Sequence, residues 1–258
     1  MIGLLDSGMG GLNVLHQAMT LLPEEDYIYY ADTDHVPYGT KTKEEIIRYV
    51  DEAVTFLVDK GVKAIVIACN TATSVAIDFI RKKYPLPILG MEPAVKPAVK
   101  ICQNGRVMIA ATPLTIKEEK LKNLLEQVDG EHRTDLLALP RLVLFAEKGK
   151  FSGKEVEHYL RGELAPYDMT EYSTFVLGCT HFNYFKDTLR KLMPEQVEFI
   201  DGISGTIKHL KDILQKDSLL GGGSSRVEYY VTGRLVTDKK KLKVYEEFLK
   251  RAADIQYD

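Results

Sequence analysis

The chain has no tryptophan, only three cysteines in 258 residues, and no apolar run of membrane-spanning length. An odd and small number of cysteines gives no disulfide framework, so the thiols are expected to stay reduced. No CxxC pair is present, which sets aside an ordinary redox dithiol. Excess charge is missing too: 34 basic residues face 37 acidic ones, a net of -3, so there is no footprint for nucleic acid or an anionic membrane. The longest basic run, Lys239-Lys240-Lys241, reads as a solvated helix start. Met1 leads straight into Ile2-Gly3-Leu4-Leu5 with no basic and apolar regions of signal-peptide form, so a cytoplasmic protein is expected. What is present is ordinary globular composition, 45% hydrophobic and 28% charged, in a chain long enough for one large or two small domains.

Two of the cysteines share a setting. Ala64-Ile65-Val66-Ile67-Ala68 is an apolar strand that stops at Cys69-Asn70-Thr71-Ala72-Thr73, and Thr174-Phe175-Val176-Leu177-Gly178 stops at Cys179-Thr180-His181. Each thiol sits at the carboxyl tip of a buried strand, where open α/β sheets bind ligands. Cys102 has no such setting and is read as inert. Around these units strands alternate with helices: 2–5, 27–31, 64–68, 87–91, 106–111, 135–139, 197–200 and 227–231 are strand candidates, with amphipathic helices between most of them. Thr42 with Glu45 predicts a capping box, a helix is expected from about Asn183 to Leu192, and residues 220–225, Leu-Gly-Gly-Gly-Ser-Ser, read as a linker. The pattern predicts an α/β protein with two similar halves, parallel-rich sheets flanked by helices, and one cysteine from each half facing a shared cleft.

The first strand runs into Asp6-Ser7-Gly8-Met9-Gly10-Gly11. Glycines before a helix let backbone N–H groups approach an anionic ligand, and Ser7 adds a hydroxyl, although the turn lacks both the GxGxxG and the GK[ST] spacing. Asp6 at this turn must cap the helix or handle protons. Two facing thiols suit the inversion of a stereocentre, which needs a base on one face of a carbon and an acid on the other. Asp6 beside one thiol and His181 beside the other would assist them. His16, His35, His132, His158 and His209 form no metal-ligand spacing. A cysteine hydrolase using one thiol, and a non-catalytic amino-acid-binding protein, remain as alternatives.

Asp6-Ser7-Gly8-Met9-Gly10-Gly11, Pro37-Tyr38-Gly39, Cys69-Asn70-Thr71-Ala72 and Gly178-Cys179-Thr180-His181, in that order, resemble the signature segments of the glutamate racemases within the aspartate/glutamate racemase family. The second cysteine of the aspartate racemases is usually followed by Thr-Glu, so His181 and Asp6 favour glutamate over aspartate. The resemblance implies a racemase that needs no cofactor and no metal, with glutamate as its small-molecule substrate, D-glutamate supplied for peptidoglycan, and a homodimer. It implies that Cys69 takes the α-proton of D-glutamate and Cys179 that of L-glutamate, that Asp6 and His181 assist them, and that Glu147 is a further carboxylate near the second thiol. Substrate contacts would come from Ser7, Pro37, Tyr38, Gly39, Asn70, Thr71, Thr115 and Thr180. The implied fold has one discontinuous domain, 1–92 plus 204–258, and a second domain, 93–203. The segment after Thr180-His181 departs from the family pattern, reading Phe182-Asn183-Tyr184 where an aromatic and then Pro or Leu are usual.

Overall fold

The computed structural model describes residues 1–102 and 104–255; Gln103 and the last three residues of the expected first domain, 256–258, lie outside the described residues. Two sheets carry the fold. The first contains β1 (Ile2–Asp6), β2 (Tyr27–Ala31), β3 (Ala64–Ile67), β4 (Ile88–Gly90), β9 (Val227–Val231) and β10 (Arg234–Leu235), in the order β10-β9-β2-β1-β3-β4. The second contains β5 (Arg106–Ala111), β6 (Thr134–Ala138), β7 (Tyr172–Leu177) and β8 (Glu198–Ile200), in the order β6-β5-β7-β8. All pairings are parallel except the β9–β10 hairpin. The run β2-β1-β3-β4 and the run β6-β5-β7-β8 are the same topology, second-first-third-fourth, used twice. Within each, the crossovers diverge beside the first strand, which opens a crevice at the tips of the first and third strands.

Parallel strands covered on both faces must be apolar on both, and here successive side chains divide between two cores. In β3, Ala64 and Val66 enter one core while Ile65 and Ile67 enter another. The second of these lies under α2 (Lys43–Asp59) and α3 (Asn70–Lys83). In β5, Met108 and Ala110 face the first core, and Val107 and Ile109 face a third beneath α4 (Val95–Ile101) and α6 (Glu119–Val128). The first core is common to both sheets. It also takes apolar side chains from α1 (Leu12–Leu21), α7 (Pro140–Glu147), α8 (Lys154–Leu164), α10 (Ile203–Lys216) and α11 (Lys239–Ile255).

The Thr42–Glu45 capping box forms as expected: Glu45 N–H donates to Oγ1 of Thr42 at 3.2 Å and Thr42 N–H to Oε2 of Glu45 at 2.9 Å. Residues 220–225 are not a free linker. Gly221 N–H donates to Glu25, Gly223 N–H to the Glu24 carbonyl, Ser224 N–H to Asp26 and Ser225 N–H to the Glu25 carbonyl, so the glycine run is laid along the turn before β2. The helix expected from Asn183 is also different. Residues Thr180–Phe185 form a 3-10 segment that passes into α9 (Lys186–Arg190), and all six of its side chains are buried. Among the described residues no helix is long and apolar enough to cross a membrane.

Candidate active site

Both thiols stand at equivalent places, after the third strand of each repeat. Cys69 caps α3: its Sγ accepts the Ala72 N–H at 3.4 Å. Cys179 precedes the 3-10 segment, and its Sγ lies 3.8 Å from Nδ1 of His181. The two are 6% exposed each, whereas a base that must meet a substrate in water would be open. Cys102 is buried elsewhere, with Sγ 3.1 Å from the Ser173 hydroxyl.

The side chains around the thiols are joined across the sheets. Asp6, at the tip of β1, accepts the Thr180 hydroxyl at 3.2 Å. It also takes the Gly11 N–H, so it supports the start of α1 and faces the other half at once. Burial pushes its carboxyl up to about 6; the His181, Thr180 and Gly11 contacts hold it from rising further, while the Glu147 charge adds to the rise. Burial and the neighbouring Asp6 charge push the Cys69 thiol up to about 12, against the Ala72 N–H and the Ser7 hydroxyl. On the other side Nε2–H of His181 donates to Oε1 of Glu147 at 2.6 Å, and the same oxygen takes the Met9 N–H at 2.8 Å. Burial disfavours a charged imidazole at His181, but the Cys179 sulfur and the Glu147 carboxylate outweigh it and raise His181 well above its ordinary value.

The glycine-rich turn is therefore a seam between the halves rather than an open anion cradle. A Cβ at Gly10 would fall on Oγ1 of Thr180 and within 2.6 Å of Nδ1 of His181. A second seam links Thr71, at the start of α3, to Thr112 and Thr115: their hydroxyls lie 2.9 and 3.2 Å from that of Thr71 and 3.0 Å from each other. Thr112 also caps α5 (Pro113–Lys117) by accepting the Thr115 N–H. Gly39 closes against Thr112, where an added Cβ would meet that residue's Cβ at 3.0 Å. Tyr38, beside it, is 1% exposed and donates to Oδ2 of Asp32 at 2.6 Å. Asn70 donates to the Met91 carbonyl at 3.1 Å. Asn70 and Thr115 also line a cavity of about 250 Å³, shared with Glu92 and Lys120, that neither thiol reaches.

The structure thus brings Asp6, Cys69, Cys179, His181, Glu147, Thr71, Thr115 and Thr180 together around the meeting tips of the two sheets, with Ser7, Asn70 and the segment Pro37-Tyr38-Gly39 at its edges. His35, in the same turn, is a structural residue: Nδ1 lies 2.9 Å from both Asp32 oxygens and the ring stacks on Tyr49 with centroids 3.7 Å apart. Two members carried no sequence signal of their own. Thr112 follows β5 as Ser7 follows β1, and Asp32 follows β2. The repeated strand order would have pointed to Thr112, at the tip of a first strand, whereas the Asp32 carboxylate is tied to the site through the phenol of Tyr38. Among the described residues no group of three His, Cys, Asp or Glu side chains is arranged to hold a metal ion.

The family model for Asp/Glu/hydantoin racemases matches residues 12–210. The chain is 51% identical to a glutamate racemase of Lachnospira eligens, over 98% of this chain and 99% of that protein. It is 46% identical to glutamate racemase 2 of Bacillus subtilis, over 95% of this chain and 93% of the relative. Its fold is similar to the crystal structure of glutamate racemase from Francisella tularensis in complex with D-glutamate, with a TM-score of 0.82 and 30% identity, covering 96% of this chain and 93% of the other.

Proposed function

Because the chain belongs to the Asp/Glu/hydantoin racemase family, we propose that it interconverts L- and D-glutamate by a cofactor-independent 1,1-proton transfer between Cys69 and Cys179. The observation that carries this reading is the placement of two buried thiols at equivalent strand tips, each with its own proton-handling partner. In one direction Cys69, as thiolate, takes the α-proton of D-glutamate, and the Cys179 thiol delivers a proton to the opposite face of the planar carbanion. In the other direction the roles exchange. A base at one thiol and an acid at the other are needed in every turnover.

The two partners act differently. Cys69 rests as a thiol, and Asp6, poised near neutrality, receives its proton when substrate arrives. The N-terminus of α3 and the ammonium group of the amino acid then favour the thiolate. His181 holds a proton between Cys179 and Glu147, which keeps a cation beside the second sulfur. Ser7, Asn70, Thr71, Thr115 and Thr180, with Pro37-Tyr38-Gly39, supply hydroxyl and backbone groups for the two carboxylates. Glutamate enters as 1–92 plus 204–258 separates from 93–203, two domains that re-close over it and exclude water. The active form is a cytoplasmic homodimer that supplies D-glutamate for peptidoglycan.

Purified protein incubated with L-glutamate, and separately with L-aspartate, in deuterium oxide with a chelator and no pyridoxal phosphate tests this. Loss of optical activity with α-deuteration for glutamate alone is expected; retention of both chirality and α-hydrogen refutes it. A second reading has one observation in its favour, since Cys179, His181 and Glu147 follow the thiol, imidazole, carboxylate order of a cysteine hydrolase. A covalent acyl adduct trapped on Cys179 with a labelled amide would support it, and it leaves Cys69 and Asp6 without a role.

A further inference from the structure

Two fully buried phenols hold the glycine-rich turn from behind. The Tyr29 hydroxyl, on β2, donates to the Gly8 carbonyl at 2.7 Å, and the Tyr184 hydroxyl, three residues after His181, donates to the Met9 carbonyl at 2.9 Å. The Gly8 carbonyl and the Met9 N–H are the two ends of one peptide unit. That N–H is the donor to Oε1 of Glu147, the oxygen that takes Nε2–H of His181. Hydrogen bonds in series polarise one another, so a phenol donating to the carbonyl end strengthens the N–H at the other.

The rings have little freedom. Tyr29 packs edge-on against Tyr229 and Tyr245, with centroids 6.3 and 6.2 Å away. Tyr184 lies against Phe151 and Phe248 at 5.0 and 5.2 Å. Gly8 has no room for a side chain, because a Cβ there would fall on the Glu147 carboxylate. Consecutive carbonyls of one turn are thus pinned by two elements, while the N–H between them is aimed at Glu147.

We infer that Tyr29 and Tyr184 are positioning residues: Tyr29 fixes the Gly8–Met9 peptide as the donor that orients Glu147, Tyr184 holds the next peptide of the turn by its Met9 carbonyl, and through Glu147 they set His181 against Cys179. The inference rests on the reading of Cys179 and His181 as one acid–base half of a racemase. A phenol that merely satisfies its own hydroxyl would support stability and nothing more.

Tyr29→Phe keeps the ring and removes the donor. In the full-length protein, three quantities are measured: racemisation kinetics, thermal unfolding, and the pH dependence of iodoacetamide alkylation at each cysteine, read by peptide mass spectrometry. The expected result is a kcat about tenfold lower with KM within about twofold, as for other groups that orient a reacting side chain from behind. The alkylation profile of Cys179 moves to higher pH while that of Cys69 stays in place. A lower melting temperature with unchanged kcat and two unchanged profiles overturns the inference. If Tyr29→Phe does not fold, Tyr184→Phe carries the same expectations, and 4-aminophenylalanine at position 29, which restores an N–H donor, recovers the Cys179 profile. Wild-type protein that fails to racemise glutamate refutes the functional reading instead, and the alkylation profiles still decide whether the phenols govern Cys179.

Discussion

Asp6→Asn removes a single charge from the most buried carboxylate of the site and keeps its shape. In the folded protein burial lifts this carboxyl to about 6, roughly two units above the value of about 3.9 for an exposed aspartate. A carboxyl whose folded value is raised holds its proton more tightly folded than unfolded. Its stabilising contribution is therefore fully present below about pH 4 and is lost as the pH rises through about 6. Two units correspond to about 3 kcal/mol. Urea unfolding of wild type and variant at half-unit steps from pH 4 to 8 measures this, with the free-energy difference plotted against pH. The variant is expected to gain on the wild type by about 3 kcal/mol across that window, most of it between pH 4 and 6. The raised His181 tilts stability the same way, since its contribution is present below about pH 6.5 and lost as pH rises through its higher folded value. It is common to both proteins, so the difference removes it to first order. A flat difference curve would refute the account of Asp6 as a strained, buried acid. The same variant is expected to lose about 10²-fold or more in kcat, which would make Asp6 a carboxylate kept for proton transfer at a cost in stability.

Cys69→Ser and Cys179→Ser are each expected to abolish racemisation, with proton NMR in deuterium oxide showing α-exchange that survives with only one enantiomer in each variant; racemisation retained in either variant would refute the two-thiol assignment. Gly10→Ala forces a methyl group onto Thr180 and His181, and calorimetry should show a loss of about 1–3 kcal/mol together with a fall in kcat. Tyr38→Phe leaves Oδ2 of the buried Asp32 without the phenol bound to it, for a stability loss of about 1–3 kcal/mol in urea unfolding and a raised KM for glutamate.

The strand tips were legible because the apolar runs 64–68 and 174–178 are short, carry β-branched residues and end abruptly at Cys69 and at Gly178-Cys179, which favours a strand buried on both faces over a helix. The partnership of Glu147 with His181 was less so: 34 positions separate them, and only the packing of α7 against the 3-10 segment joins them. Thr112 drew no attention in the sequence, because its hydroxyl meets that of Thr71 only where the second sheet sets the two side by side. The glycine- and serine-rich run at 220–225 read as slack because sequence shows missing side chains but not the Glu24, Glu25 and Asp26 groups that accept the N–H bonds of Gly221, Gly223, Ser224 and Ser225. Tyr29 and Tyr184 were invisible for a related reason. A buried tyrosine in an apolar segment looks like core, and its hydroxyl acquires meaning only when the turn it reaches is known.

The same strand order carries both thiols, yet the groups beside them differ, a carboxyl on one side and an imidazole on the other. Enantiomers have equal free energy in water, so the equilibrium between them is one to one, and kcat/KM in the two directions must agree at every pH. Unequal half-sites cannot tilt the final mixture. Their inequality is confined to kcat and KM separately, which must change together, and to which face of the carbon picks up solvent hydrogen. Selection acting on one half alone can alter the speed and saturation of each direction, but the composition the reaction approaches is beyond its reach.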